Sequence, residues 1–192
     1  MTIAIAHDEA FNFTYRANID ALKALGDIVF FSPLNDKAPC NADLIYLPGG
    51  YPELFADRLT ANTSMRLAIK EYAENGGRIF AECGGFMYLC KDIDGVGMCD
   101  VLPIRATMNG ARLHLGYRQA NYKGICLRGH EFHYSSIVSN ELPAEIQVLR
   151  IQSNAKNTPV DTPIYRYKNV IAGYTHWYWA DAPYKFKKII IQ

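Results

Sequence analysis

Four short apolar runs in the first half of the chain, Thr2–Ala6, residues 28–32, Leu44–Leu47 and Arg78–Glu82, alternate with stretches of helical character. No other feature constrains the fold as much. Parallel strands need crossover connections and helices supply them, so the pattern predicts an α/β fold: a central, mostly parallel sheet with helices on both faces. Residues 18–25 read as one such helix, ended by Gly26. Asn62 or Thr63 can cap a second, in which Met65, Leu67, Ala68, Ile69 and Tyr72 recur at helical spacing until Asn75-Gly76-Gly77 ends it. Beyond Gly95 the pattern turns β-prone, at 101–108, 113–122, 125–134, 146–151 and 170–174. These runs predict antiparallel or mixed strands that extend the sheet. Residues 182–191 suit a helix, although three consecutive isoleucines leave a strand open. With no repeat, low-complexity segment or long linker, residues 1–192 are expected to form one domain.

Composition excludes several classes. With 49% apolar and 20% charged residues the chain is neither disordered nor fibrous. A net charge of +1 leaves little to neutralise a phosphate backbone, so no nucleic-acid partner is expected. Lys185, Lys187 and Lys188 read as a solvated helix face. The opening residues lack the basic flank and long apolar run of a secretion signal, and no run reaches membrane-span length, so a cytoplasmic location without membrane contact is expected. Cys40, Cys83, Cys90, Cys99 and Cys126 form an odd set without a Cys-x-x-Cys pair. Neither a disulfide framework nor a metal site is expected from them.

The turn Glu82-Cys83-Gly84-Gly85 joins a strand to the apolar stretch 86–89. A nucleophile at such a turn projects above the carboxyl end of a sheet, and the sharp bend demands small neighbours. The following helix aims its amino terminus at the sulfur, which favours thiolate, and the Gly84 N–H can serve as one oxyanion donor. A buried, inert cysteine on a glycine turn fits the same residues. Glu82 disfavours a thiolate unless strand alternation turns its side chain to the opposite face. Pro48-Gly49-Gly50 ends a neighbouring strand and offers a second oxyanion donor, from Gly50 or nearby. Of the five histidines, His7, His114, His130, His133 and His176, the last follows the apolar run 170–175. It thus emerges at a strand end, where open α/β sheets build their sites. In 128–135, alternation sends Glu131 and His133 to one face and His130 to the other, which disfavours a compact three-ligand metal site and suits a role in a pocket or a domain contact.

Several spaced motifs together resemble a known family. Gly49-Gly50-Tyr51-Pro52-Glu53, Ala81-Glu82-Cys83-Gly84-Gly85-Phe86-Met87-Tyr88-Leu89, Leu115-Gly116-Tyr117-Arg118, Arg128-Gly129-His130-Glu131-Phe132-His133-Tyr134-Ser135 and Tyr174-Thr175-His176 are similar to the glutaminase domain of the cobyrinic acid a,c-diamide synthases. The opening Ala6-His7-Asp8-Glu9-Ala10-Phe11-Asn12-Phe13-Thr14-Tyr15 and the segment Phe30-Phe31-Ser32-Pro33-Leu34 match as well, so the resemblance covers nearly the whole chain.

The resemblance implies a class I glutamine amidotransferase-like fold in which Cys83 attacks the side-chain amide of glutamine and His176 assists. Gly49, Gly50, Gly84 and Tyr51 would then line the oxyanion and glutamine sites. Most relatives of this fold carry a glutamate two residues after the histidine; here that position is Tyr178, as the cobyrinate branch allows. Glu53, Glu131 and Asp181 are candidate orienting groups in its place, with His130 and His133 nearby. In the family an ATP-binding synthetase domain, using magnesium, activates the a and c carboxylates of a corrin. No Gly-x-x-x-x-Gly-Lys-[Ser/Thr] loop occurs in these 192 residues, so no cofactor is expected in this chain itself. The same role on nickel-sirohydrochlorin, and a non-catalytic docking module, are the alternatives.

Overall fold

The computed structural model describes residues 1–122, 124–138, 142–180 and 183–190. Strand β1 (Thr2–Ala6) leads through α1 (Arg16–Lys23) to β2 (Asp27–Phe31) and β3 (Leu44–Leu47). A 3-10 turn at Pro52–Phe55 precedes α2 (Ala56–Ala61) and α3 (Thr63–Glu74), then β4 (Arg78–Glu82) and α4 (Gly84–Leu89). Asn62 caps α3 by accepting the Met65 N–H.

The second half holds β5 (Cys90–Ile93), β6 (Val96–Gly97), β7 (Leu102–Thr107), β8 (His114–Tyr122), β9 (Ile125–His133) and β10 (Ser136–Val138). It continues with β11 (Gln147–Leu149), β12 (Gln152–Ser153), β13 (Ile164–Tyr167), β14 (Val170–Gly173), β15 (His176–Tyr178) and α5 (Pro183–Ile190).

The central sheet has seven strands in the order β11-β13-β14-β4-β3-β1-β2. Five are parallel, from β2 to β14, and β13 and β11 extend the sheet antiparallel. Most second-half strands pair elsewhere, however, in two four-stranded sheets, β10-β7-β5-β6 and β12-β8-β9-β15. Periodicity marks a strand but not its partner, so the extra sheets were not legible as separate layers. Strand β13 lies outside the β-prone runs of the sequence. It joins β14 through a tight turn in which Lys168 takes a φ of 50°, and a lysine gives none of the warning a glycine would.

Alternation along the central strands feeds two hydrophobic cores. Ala4, Ala6, Ile45, Leu47, Ile79 and Ala81 pack on one face against Met65, Ile69 and Ala73 of α3 and the buried residues of α4. Ile3, Ile5, Leu44, Tyr46 and Phe80 pack on the other against Ala21 and Leu22 of α1 and against Trp177, Trp179, Phe186 and Ile189. Residues 183–190 are therefore helical because their apolar positions Phe186 and Ile189 are three apart, facing that core. Lys187 and Lys188 stay exposed; the side chain of Lys185 lies outside the described residues, as does Ile191. No helix among the described residues is long and apolar enough to cross a membrane.

Candidate active site

The register of β4 decides where its last residues point. Ile79, Ala81 and Cys83 belong to one core, whereas Phe80 and Glu82 face the other, so the carboxylate is turned away from the thiol as strand alternation allows. Cys83 itself has φ 46° and ψ −106°, a conformation that costs a non-glycine residue strain and that throws the side chain out of the strand line at the start of α4. Its amide donates to the Gly173 carbonyl at 2.8 Å, which locks the turn to β14. The thiol lies 3.7 Å from the Phe132 carbonyl, to which it donates.

Two glycine turns meet there. A Cβ on Gly84 would lie 2.9 Å from the Gly50 nitrogen, and one on Gly50 would lie 2.0 Å from the Ala10 carbonyl. Gly49 exchanges both backbone hydrogen bonds with Phe13, and the Tyr51 N–H goes to Ala10. Among the described residues this leaves the Gly50 N–H as the donor of that turn without a backbone partner. Gly49 also lies against the site: a Cβ there would be 2.3 Å from His176 Cε1, so Gly49 forms the floor on which the imidazole rests.

Cys83 and His176 line one cavity of about 290 Å³, and Asn12, Phe13, Gly50, Tyr51, Glu53, His130 and His133 are among the other lining residues. The His176 ring takes the edge of Phe13 at 4.6 Å and stacks on His130 at 4.9 Å, and a 2.6 Å hydrogen bond between the Tyr15 hydroxyl and Nδ1 holds His130. Phe13, Tyr15 and Asn12 were visible only as part of a matching segment; nothing in their spacing placed them at the site. His176 is 3% exposed, and its Nδ1 has no hydrogen-bond partner among the described residues.

None of the described candidates for an orienting group bonds that nitrogen. Glu53 lines the cavity without touching it. Glu131 is committed elsewhere: it accepts from Arg118 Nε at 2.6 Å, from His133 Nε2 at 2.7 Å and from Thr162 at 2.9 Å. Asp181 lies outside the described residues.

The electrostatics run against a resting thiolate. Burial pushes the Cys83 thiol up to about 12; the Gly84 N–H pulls it back, and Glu53, Glu82 and Glu131 push it further. The thiolate expected from the helix amino terminus is therefore corrected, since a six-residue helix offers less than burial and three carboxylates remove. Burial, then the neighbouring His130 and His133, brings His176 down to about 3. At neutral pH the site thus holds a thiol beside a neutral imidazole. A neutral imidazole has a lone pair with which to take a proton. Burial likewise pushes Glu82 up to about 8, against bonds from the Trp177 N–H and the Tyr46 hydroxyl. For Glu131 burial also raises the value, but His133, Arg118 and Thr162 outweigh it and hold the carboxyl down to about 2.

His114, Glu131 and His133 bring ligand atoms within 4.8 Å of one another. The two imidazoles stack with planes 5° apart, however, so no point lies in both ring planes at bonding distance. With Glu131 engaged by Arg118 and Thr162, the cluster is an ion-pair network as it stands.

Comparison with known proteins follows the same outline. Residues 2–184 match the model of the CobB/CobQ-like glutamine amidotransferase domain. The chain is 40% identical to the cobyrinate a,c-diamide synthase of Picrophilus torridus, over 94% of this chain and 41% of that protein. It is 38% identical to that of Clostridium acetobutylicum, over 92% and 42%. It therefore spans about two fifths of the length of these relatives. Among solved structures, a glutamine amidotransferase superposes with a TM-score of 0.62 at 16% identity, covering 99% of both chains. PurLQS from Thermotoga maritima gives 0.63 at 16%, covering 99% and 97%. These structural likenesses carry the fold, which is class I glutamine amidotransferase-like. By its sequence match across nearly its whole length, the chain belongs to the CobB/CobQ-like glutamine amidotransferase domain family.

Proposed function

We propose that residues 1–192 form a glutaminase domain that releases ammonia from glutamine, with Cys83 as nucleophile and His176 as the base that takes its proton. The observation that carries this reading is the left-handed Cys83 turn opening on the same cavity as a buried, neutral His176. As Cys83 Sγ attacks the carboxamide carbon, its proton passes to His176, and the Gly50 and Gly84 N–H groups receive the oxyanion. Return of that proton to the nitrogen expels ammonia and leaves a thioester. Water, deprotonated by His176, then hydrolyses it to glutamate. Tyr51 and Glu53 line the cavity, and a carboxylate there suits the ammonium group of the substrate.

The ammonia is destined for an ATP-binding synthetase domain, fused or separate. Relatives named cobyrinate a,c-diamide synthase are more than twice the length of the matching region, which supports such a partner. Phe13, Tyr51 and Tyr134 line the cavity and are exposed at its rim, an apolar mouth suited to being covered. On this reading ATP and magnesium act in the partner on the a and c carboxylates of a corrin, in the cytoplasm, where five cysteines without disulfides are at home.

The experiment combines the chain with glutamine, ATP, magnesium and a corrin diacid, with and without the synthetase domain. Diamide is expected only with both, and not with Cys83→Ala. Diamide made by this chain alone would refute the division of labour, and full glutamine turnover by Cys83→Ala would refute the nucleophile.

A further inference from the structure

Strand β15 begins at His176 and is only three residues long. One edge pairs with β9, His176 opposite His130 and Trp177 opposite Gly129. Among the described residues the other edge has no strand beside it, because β15 ends its sheet. Buried side chains take the place of that strand. Glu82 Oε1 accepts the Trp177 N–H at 2.9 Å. Asn18 of α1 donates to the Trp177 carbonyl at 2.7 Å and accepts the Trp179 N–H at 2.8 Å. The second oxygen of Glu82 accepts the Tyr46 hydroxyl at 2.7 Å. Glu82 and Asn18 are 2% and 1% exposed, so these backbone groups have no recourse to water.

A buried carboxyl next to the nucleophile is an expense that thiol chemistry does not require, since it pushes the Cys83 thiol up. What it serves is β15. We propose that Glu82, supported by Asn18, is the positioning residue for His176: by gripping the backbone one residue later, it sets where the imidazole meets the cavity. Adjacent residues at the end of β4 then hold both halves of the site, Cys83 through the turn that follows the strand and Glu82 holding His176 through the Trp177 N–H. This rests on the role proposed for His176 above.

The test is a cycle of variants read as the rate at which a glutamine-derived chloroketone labels Cys83, resolved by residue with mass spectrometry. Glu82→Gln keeps an acceptor for Trp177 and a partner for Tyr46, whose proton can turn to Thr14 Oγ1 at 3.3 Å, so a rate within a few-fold of the parent is expected. Glu82→Leu keeps the volume without the acceptor and is expected to label about a hundredfold more slowly, as a displaced catalytic group would, with the half-saturating concentration little changed. In a His176→Ala background the same change is expected to cost nothing more, because the group it positions is gone.

Parent-like labelling of Glu82→Leu overturns the inference. So does an additive loss in the double variant, which would tie Glu82 to Cys83 or to general stability. Parent-like labelling of His176→Ala, or none of the parent, instead strikes the underlying assignment of the site. If circular dichroism shows Glu82→Leu unfolded, Asn18→Ala runs the same cycle from outside β4, with a smaller loss of about tenfold expected. A parent-like rate there also overturns the inference.

Discussion

The imidazole of His176 rests on Gly49, where a Cβ would come within 2.3 Å of Cε1. Gly49→Ala must therefore displace the ring while sparing the Cys83 turn. The expected outcome is a folded protein whose glutamine turnover falls about a hundredfold, the usual cost of a misplaced base. Steady-state kinetics with and without the synthetase partner check this, and unchanged turnover would show that the ring position does not matter.

The resting protonation of the site has a kinetic signature. A thiol held up to about 12 is almost wholly protonated at neutral pH. Its alkylation by iodoacetamide should rise about tenfold per pH unit from about pH 7 to about pH 9, because only the thiolate reacts. Residue-resolved mass spectrometry separates Cys83 from the exposed Cys126. A plateau across that range would mean a thiolate paired with imidazolium.

A glutamine-derived electrophile should invert the order of reactivity. Cys126 is exposed and Cys83 is 5% exposed, yet only Cys83 lines the cavity beside His176. Labelling of Cys83 ahead of the other four cysteines is expected, and preferential labelling of Cys126 would remove Cys83 from the chemistry.

Glu82 makes stability fall with rising pH. Its folded value of about 8 lies above the ordinary 4.5, so the folded state holds this proton more tightly than the unfolded one. Its contribution is complete below pH 4.5 and is lost as pH rises to about 8. Glu82→Gln cannot lose a proton. Denaturant unfolding of parent and variant should therefore show the parent losing ground to the variant across that window, and parallel curves would contradict the burial argument.

Glu131 behaves oppositely, since against the burial that raises it His133, Arg118 and Thr162 hold it down to about 2. Arg118→Met leaves a buried carboxylate short of its cation, and a loss of about 3–5 kcal/mol in unfolding free energy near neutral pH is expected. The loss should shrink as acid protonates Glu131. A variant as stable as the parent would show the ion pair to be dispensable.

The alternation of strands and helices, the Cys83 turn and the strand-end position of His176 could all be read from the residues, because each is a local pattern of period and small side chains. Local pattern also turned Glu82 away from Cys83 and put Glu131 and His133 on the opposite face of their strand from His130, yet His130 and His133 both line the cavity. What lay beyond it depended on partners distant in the chain. Only the tertiary structure assigned β8, β9 and β15 to a separate sheet, laid Gly49 under His176, brought Phe13 to the cavity and Tyr15 to His130, and raised the Cys83 thiol by burying it near three carboxyl groups. Residue type and spacing determine which groups are available and which way a strand presents them. Burial, and the match between a side chain and a backbone edge as far away as Glu82 is from Trp177, exist only once the chain has closed on itself.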